Sequence, residues 1–517
     1  MEPHSYVWLL IIGGIVAFAA GFGIGANDVA NSFSSSVGSR TLTLKQACTI
    51  AIFTEFFGAF LLGANTSETI RGGIIKISLF QDNPDLLMLA MVCALIGSAT
   101  WVIFASFRGW PVSTTHSAVG AIVGVGISAY GWKAVDWSFN GVTKIIVSWF
   151  IAPIVAGVVV SIIFLTAKYL ILIHQDSSFR RALIAVPIYI TFTIAINIFY
   201  LIFKGEPSLK LDNLHPNVIA LIIVGVTIFV SVFSYFFYAQ FLRRKIIGKE
   251  TGLEWYHVFV VPFIGPRYDN TDNDTEIGTN DDQNGKQEGI ETEENVNNSP
   301  KNIFQAAFTA IGNYVARGIS KEVADYKAHD NIEMHDAAAK YDPNTEQLYS
   351  FLQILTASLA SFSHGSNDVS NAIGPLITIF LIYDSGIVEP SGTTSVPLWI
   401  LALGGFAIDV GLVLYGYHVM RSLGNQITYN SPSRGFAIEL GTSLTVLSAS
   451  KIGLPISTTH CVTIATAAIG LCNGNVKALN WKLLASCFFS WALTVPVSAL
   501  IAGGIYAFTA YAPSAPA

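Results

Sequence analysis

The chain has 517 residues, of which 52% are hydrophobic and only 12% are charged. Soluble domains contain about 25% charged residues, so this composition excludes a soluble globular protein. The net charge of −6 comes largely from one acidic stretch at 269–294, and the rest of the chain is close to neutral. We therefore expect a membrane protein, and no nucleic-acid partner is expected.

The hydrophobic residues form blocks that are long enough to cross a bilayer many times. A transmembrane helix needs about 20 apolar residues, and this length predicts seven spans before a polar insert and five after it. The seven are 6–26, 47–64, 86–107, 111–130, 142–173, 182–203 and 216–242; the five are 348–378, 396–420, 436–452, 455–475 and 482–511. The expected fold class is an all-α membrane protein with about twelve transmembrane helices, some of them broken or re-entrant.

The polar insert divides the chain. Residues 243–347 are too polar for lipid and are expected to form one large cytoplasmic loop, partly disordered over 269–298, with a surface helix over 303–328. Basic residues mark cytoplasmic ends of spans. The pair Arg180-Arg181 and the triplet Arg243-Arg244-Lys245 therefore predict that the loop is cytoplasmic. With seven spans before the loop, the N-terminus is expected on the opposite side of the membrane.

The two sides of the insert repeat each other. The segment G-A-N-D-V-A-N-S at 25–32 returns as G-S-N-D-V-S-N-A at 365–372, and P-V-S-T-T-H at 111–116 returns as P-I-S-T-T-H at 455–460. An odd number of spans separates the copies, so the second copy is expected upside down, as in many secondary transporters. We therefore predict four units: a first membrane repeat at 1–175, two linking helices at 176–242, the loop at 243–347 and a second membrane repeat at 348–517.

The first motif predicts a cation site. Asp28 and Asp368 each follow an apolar run, where a carboxylate is costly and usually faces a partner or an aqueous cavity. Each is flanked by two asparagines, and short oxygen-bearing side chains on one helical turn suit a hard cation. The four asparagines are Asn27, Asn31, Asn367 and Asn371. The preceding glycines are expected to break the helix there. Simple capping of a helix end is the alternative.

The second motif predicts an anion site. Proline suits the first turn of a helix, where unpaired N–H groups attract oxyanions such as phosphate. Each copy adds three hydroxyl groups, and the six hydroxyl residues are Ser113, Thr114, Thr115, Ser457, Thr458 and Thr459. Ordinary N-capping would account for one hydroxyl in each copy. For His116 and His460, a ligand role and a place in the core both stay open.

Two further acids lie inside apolar blocks, Glu55 and Glu439. Neither has a basic residue next to it in the sequence, so both are candidates for binding a cation or a proton. They do not align with each other in the repeat, since Glu439 aligns with Leu95. The two halves are therefore expected to differ in function.

The paired G-[AS]-N-D-V-[AS]-N and P-[VI]-S-T-T-H segments resemble the signature of the PiT family of inorganic phosphate transporters. The resemblance covers about 350 residues, and the insert and Tyr341–Pro375 look most like fungal sodium/phosphate symporters of the plasma membrane. It implies an inverted-repeat fold with phosphate between broken helices, beside sodium held by the two aspartates and their asparagines. The Ser-Thr-Thr residues would line the phosphate site, and Glu55 and Glu439 match acids that the family needs for transport.

The predicted function is import of phosphate coupled to sodium by alternating access, in a multi-pass protein of the plasma membrane. No catalytic residue and no cofactor are expected, and sodium is a co-transported substrate. Proton coupling, a phosphate sensor that signals through the loop, another tetrahedral oxyanion, and a membrane enzyme that uses Ser113 or Ser457 are the alternatives. The sequence leaves a homodimer open.

Overall fold

The computed structural model describes residues 1–202, 215–266, 332–389, 396–423 and 426–511. This part of the chain is built from α-helices joined by short connections. The helices of the first half are α1 (Val7–Gly38), α2 (Leu44–Leu62), α3 (Ala64–Gly72), α4 (Pro84–Phe107), α5 (Thr114–Tyr130) and α6 (Val142–Ala167).

Two long helices link this half to the next. The second half begins with one short helix, and six further helices then follow in an order that corresponds to the six helices of the first half. The linking helices are α7 (Ser178–Ile202) and α8 (Pro216–Phe233), which continues through a π turn into α9 (Ala239–Ile246). The remaining helices are α10 (Ile332–Ala337), α11 (Pro343–Ser385), α12 (Leu398–Tyr415), α13 (Tyr417–Leu423), α14 (Pro432–Lys451), α15 (Thr458–Leu471) and α16 (Trp481–Tyr511).

Each of the twelve predicted spans corresponds to a helix. In the described residues, eight helices are long and apolar enough to cross a membrane. Helices α5 and α15 have only 17 and 14 residues, which gives lengths of about 26 and 21 Å against a hydrocarbon core of about 30 Å. Helices α5 and α15 are therefore shorter than a full span, and each begins just after a sharp break in the chain that follows α4 or α14.

The two breaks have the same construction. Gly109 and Gly453 follow the ends of α4 and α14 with φ of +67° and +66°, a conformation that favours glycine. The next residues, Trp110 and Leu454, close the helix ends with N–H···O bonds of 2.9 Å to Ala105 and Ala449, as in a Schellman motif. A proline one residue later prevents the helix from continuing, and the new helix starts three residues after that.

The expectation that glycine breaks α1 and α11 at the N-D motifs is wrong. Helix α1 runs without interruption through Gly25, and α11 runs through Gly365. These glycines serve close packing instead. A Cβ on Gly25 would lie 1.8 Å from the carbonyl oxygen of Ile408 in α12, and one on Gly365 would lie 2.2 Å from that of Glu55 in α2.

The packing is reciprocal, as two related halves require. The partner helices α12 and α2 also have a glycine at these contacts. A Cβ on Gly411 of α12 would lie 1.9 Å from the carbonyl oxygen of Phe22 in α1, and one on Gly58 of α2 would lie 2.0 Å from that of Phe362 in α11. The middle of α1 is thus held against the second half, and the middle of α11 against the first.

The polar insert is described only at its two ends. After α9 the chain forms two short 3₁₀ turns, Trp255–Phe259 and Val261–Phe263, and it returns at α10 before α11 begins. The predicted disordered run at 269–298 and the predicted surface helix at 303–328 lie outside the described residues.

Candidate functional site

The two repeated motifs meet at the centre of the molecule. The middles of α1 and α11 contact the first turns of α5 and α15, and the motif side chains are buried. Thr114 donates a hydrogen bond of 2.8 Å to the carboxylate of Asp28, and Thr458 donates one of 2.8 Å to Asp368. The predicted cation and anion residues therefore belong to one hydrogen-bonded network.

Further hydrogen bonds cross between the repeats. Thr459 donates to Asp28 at 3.0 Å, and Asn31 donates to the hydroxyl of Thr459 at 3.0 Å. On the other side Asn371 donates to the hydroxyl of Thr115 at 3.1 Å. Each half of the site is thus completed by a threonine from the other half.

Asn31 and Asn371 each present an oxygen to the site. Their amide groups donate to Asp28 at 3.1 Å and to Asp368 at 3.4 Å, while the Oδ1 atom of each is buried and has no hydrogen-bond partner. A buried oxygen without a donor is uncommon and calls for an explanation such as an ion. The pairs Asp28–Asn31 and Asp368–Asn371 could each offer hard oxygen ligands to a small cation.

Asn27 and Asn367 hold the extended segments at the two helix breaks. Asn27 donates to the carbonyl of Trp110 at 3.0 Å and accepts from the backbone N–H of Val112 at 3.1 Å. Asn367 donates to the carbonyl of Ile456 at 2.8 Å. These bonds satisfy backbone groups that the interrupted helices leave unpaired, and a role of the two residues as cation ligands stays a prediction.

Ser113 and Ser457 are the N-caps of α5 and α15. Each hydroxyl oxygen accepts a hydrogen bond from the backbone N–H three residues later, at 3.2 Å for His116 and 3.3 Å for His460. Capping uses an oxygen lone pair and leaves the serine O–H as a donor. Both serines can therefore cap a helix and also donate to an anion at its N-terminus.

The structure adds one residue that the sequence did not single out, His364. This buried side chain lies one turn before Asp368 on α11 and contacts three acids at once. Its Nδ1 is 2.8 Å from Glu55, and its Nε2 is 2.7 Å from Asp368 and 3.8 Å from Asp28. Ligand atoms of Asp28, His364 and Asp368 all lie within 4.8 Å of one another, close enough to hold an ion.

The repeat contained a signal for this histidine. Applying the offset of the N-D motifs aligns His364 with Ile24, so only the second half carries an ionisable group at this point. An unmatched polar residue in a repeat indicates that one half is specialised. The partner Glu55 lies 309 residues away, which no local pattern indicates.

Glu55 joins the central cluster through α11. One carboxylate oxygen contacts His364, and the other accepts hydrogen bonds from Ser361 at 3.0 Å and from Ser32 at 3.5 Å. The predicted coupling acid is therefore adjacent to Asp28 and Asp368, although its position in sequence did not show this.

Glu439 lies in a separate cage of neutral donors. It accepts hydrogen bonds from Ser35 and Ser36 of α1, both at 2.6 Å, and from Thr356 and Gln353 of α11, at 2.7 and 3.3 Å. None of these partners is basic, so the cage carries one negative charge when the carboxylate is ionised. Two acids that looked alike in sequence thus have different surroundings.

His116 and His460 contact each other across the two halves. Their ring centroids are 4.3 Å apart in an edge-to-face arrangement, and each ring also lies 3.8 Å from a tryptophan, Trp149 or Trp491. This packing places both rings in the core behind the helix N-termini. The structure does not bring them into hydrogen bonds with the aspartates.

The profile of the phosphate transporter family matches residues 24–502. The chain belongs to the phosphate transporter family. The match includes both N-D motifs, both S-T-T-H motifs and the two glutamates.

Relatives named as phosphate permeases or phosphate transporters match almost the whole chain. The phosphate-repressible phosphate permease pho-4 of Neurospora crassa is 35% identical, over 99% of both chains. The sodium-dependent phosphate transporter 1 of Mus musculus is 31% identical, over 98% of this chain and 96% of the relative. A solved structure titled "The sodium-dependent phosphate transporter" covers 96% of this chain with a TM-score of 0.69 and 29% identity.

Proposed function

We propose that this protein imports inorganic phosphate together with sodium ions by alternating access. The observation that carries this proposal is the shared network in which Thr114 and Thr458 connect Asp28 and Asp368 to the N-termini of α5 and α15. The relatives named above are phosphate and sodium-dependent phosphate transporters, which supports the same substrates here.

The charges of the cluster favour cation binding before anion binding. Asp28, Glu55 and Asp368 are three buried carboxylates with one imidazole, His364, between them. Even with that imidazole protonated, the ionised cluster would carry excess negative charge and would repel phosphate. Buried charges need opposite charges close by, so sodium ions at the carboxylates would make the site acceptable to an anion.

The threonine hydroxyls provide a physical link between the two substrates. In this structure they donate to the aspartates. A hydroxyl oxygen can ligate a cation while its hydrogen turns toward another acceptor. When sodium binds the carboxylates, the hydrogens of Thr114 and Thr458 become available to phosphate, and the first-turn N–H groups of the two helices add to that site.

The cross-repeat bonds suit alternating access. Because Thr459 binds Asp28 and Asn371 binds Thr115, a tilt of one half relative to the other changes both sides of the site together. Rocking of two repeats around a fixed central site is a common transport mechanism. We place the protein in the plasma membrane, where a phosphate permease takes up external phosphate.

His364 gives a reason to consider protons as a second coupling ion. A histidine between acids can accept and release a proton. A proton on Glu55 or His364 would then replace part of the sodium charge, and the same fold would carry phosphate with protons.

Uptake of radiolabelled phosphate into proteoliposomes tests the proposal. Sodium and proton gradients are imposed separately, and sulfate is added as a competitor. Uptake driven by sodium and insensitive to sulfate is the expected result, whereas uptake driven only by protons would support the second coupling ion. Absence of uptake under both gradients, with phosphate binding retained, would refute transport and favour a sensor.

A further inference from the structure

The segment after α9 has an exposed apolar surface that the transport site does not use. Large side chains project from the two 3₁₀ turns: Phe263 is 81% exposed, Phe259 58% and Tyr256 53%. Ile247, the first residue of this segment, is 59% exposed. Contiguous exposed aromatic residues in a membrane protein indicate contact with lipid or with another protein.

The position of this surface indicates which contact it makes. Phe259 packs against Phe233 at 5.6 Å between ring centroids, and Phe263 packs against Phe237 at 6.2 Å. Phe233 belongs to α8, none of whose residues is buried by other parts of the described protein. The aromatic surface of residues 255–263 therefore continues the lipid-facing surface of a transmembrane helix.

A single arginine fixes the segment in this place. Arg244 donates two bonds to Glu250, at 2.8 and 2.7 Å, and further bonds to the carbonyls of Val261, Ile264 and Gly265 at 2.8, 2.8 and 2.6 Å. These five bonds match the five N–H groups of a guanidinium. The fold of residues 247–265 is thus tied to the end of the transmembrane helix.

The charges around the segment are mostly positive. Residues 243–266 contain four basic and two acidic side chains, and Arg244 is neutralised by Glu250. Arg243, Lys245 and Lys249 are exposed. Basic side chains beside a transmembrane helix are attracted to anionic headgroups, and aromatic rings favour the boundary between headgroups and acyl chains.

We propose that residues 247–265 form a membrane-interface anchor that inserts Phe259 and Phe263 into a bilayer surface containing anionic lipid. The anchor attaches the start of the polar insert to the membrane. It also braces the C-terminal end of α8, a helix with no buried residue.

Site-directed spin labelling of the full-length protein in vesicles tests this proposal. Nitroxides are attached at Phe263→Cys and, as the matched control, at Lys249→Cys, and their collision rates with oxygen and with a water-soluble nickel chelate are compared. Four of the five native cysteines are buried, and the labelled unsubstituted protein gives the background. We expect the label at 263 to favour oxygen and the label at 249 to favour nickel.

Two further variants keep the test decisive. Phe259→Cys gives an independent position on the same surface, and Arg244→Gln should shift the label at 263 toward nickel because it releases the segment. Adding phosphatidylserine to phosphatidylcholine vesicles should deepen the label. Equal nickel access at 263 and 249, or shielding of 263 from both reagents by protein, would overturn the proposal; no effect of phosphatidylserine would overturn its anionic preference.

Discussion

The hydroxyl of Thr459 donates a hydrogen bond of 3.0 Å to the carboxylate of Asp28, although 431 residues separate them. This bond joins the N-terminus of a helix in one repeat to the cation-site candidate of the other. Movement between the two repeats must therefore break or remake a contact inside the site.

The first prediction concerns the two aspartates. Asp28→Asn and Asp368→Asn should each reduce sodium-driven phosphate uptake to background, because an amide removes the negative charge that favours a cation while keeping the size of the side chain. Surface abundance of each variant is measured by immunoblot of the isolated membrane. Asp82→Asn, at an exposed position, is the control that should transport normally. Normal uptake in both site variants would contradict the cation-site assignment.

The second prediction concerns His364. Replacement by glutamine should flatten the dependence of phosphate uptake on pH, because the side chain contacts Glu55 and Asp368 directly and the substitute does not titrate. It should also change the sodium concentration needed for half-maximal uptake, since the neighbouring carboxylates lose a donor. Initial rates at several pH values and sodium concentrations measure both effects. An unchanged pH profile would show that His364 has only a structural role.

The third prediction concerns Glu439. The Glu439 carboxylate accepts hydrogen bonds from four neutral side chains, and its replacement by an amide removes the negative charge that would attract a cation. Glu439→Gln should weaken apparent sodium affinity by about tenfold or more, which corresponds to at least about 1.4 kcal/mol. Sodium titration of uptake at saturating phosphate measures this change. Thr356→Ser retains the donor to Glu439 and should behave nearly as the unsubstituted protein does.

The fourth prediction concerns packing. Gly25→Ala should lower the thermal stability of the purified protein, because the added Cβ would lie 1.8 Å from a backbone oxygen of α12 that cannot move freely. Overpacking of this kind costs about 1–3 kcal/mol or more. Gly14→Ala, on the same helix with no atom within 4 Å of the new Cβ, is the matched control. Equal melting temperatures for the two variants would contradict the close approach of α1 and α12.

Much of this protein could be predicted from its sequence because its signals are local. Long apolar blocks predicted the spans. The two motifs, each present in two copies, identified Asp28, Asp368 and the threonines as site candidates, and the structure brings these residues together. The glycine–proline spacing beside each S-T-T-H motif also lies where the helices break. The glycines of the N-D motifs led to a wrong prediction of helix breaks. Glycine occurs both where a helix breaks and where two helices pack closely, and the two cases can be distinguished only when the neighbouring helix is known.

The tertiary structure decided the rest. The contacts of His364 with Glu55, of Glu439 with Ser35, and of Thr459 with Asp28 join residues hundreds of positions apart. Sequence specifies which side chains can donate or accept, but their partners depend on how helices from the two halves pack. Burial then gives each contact its importance, because a carboxylate inside a membrane domain must find a donor, a proton or a cation.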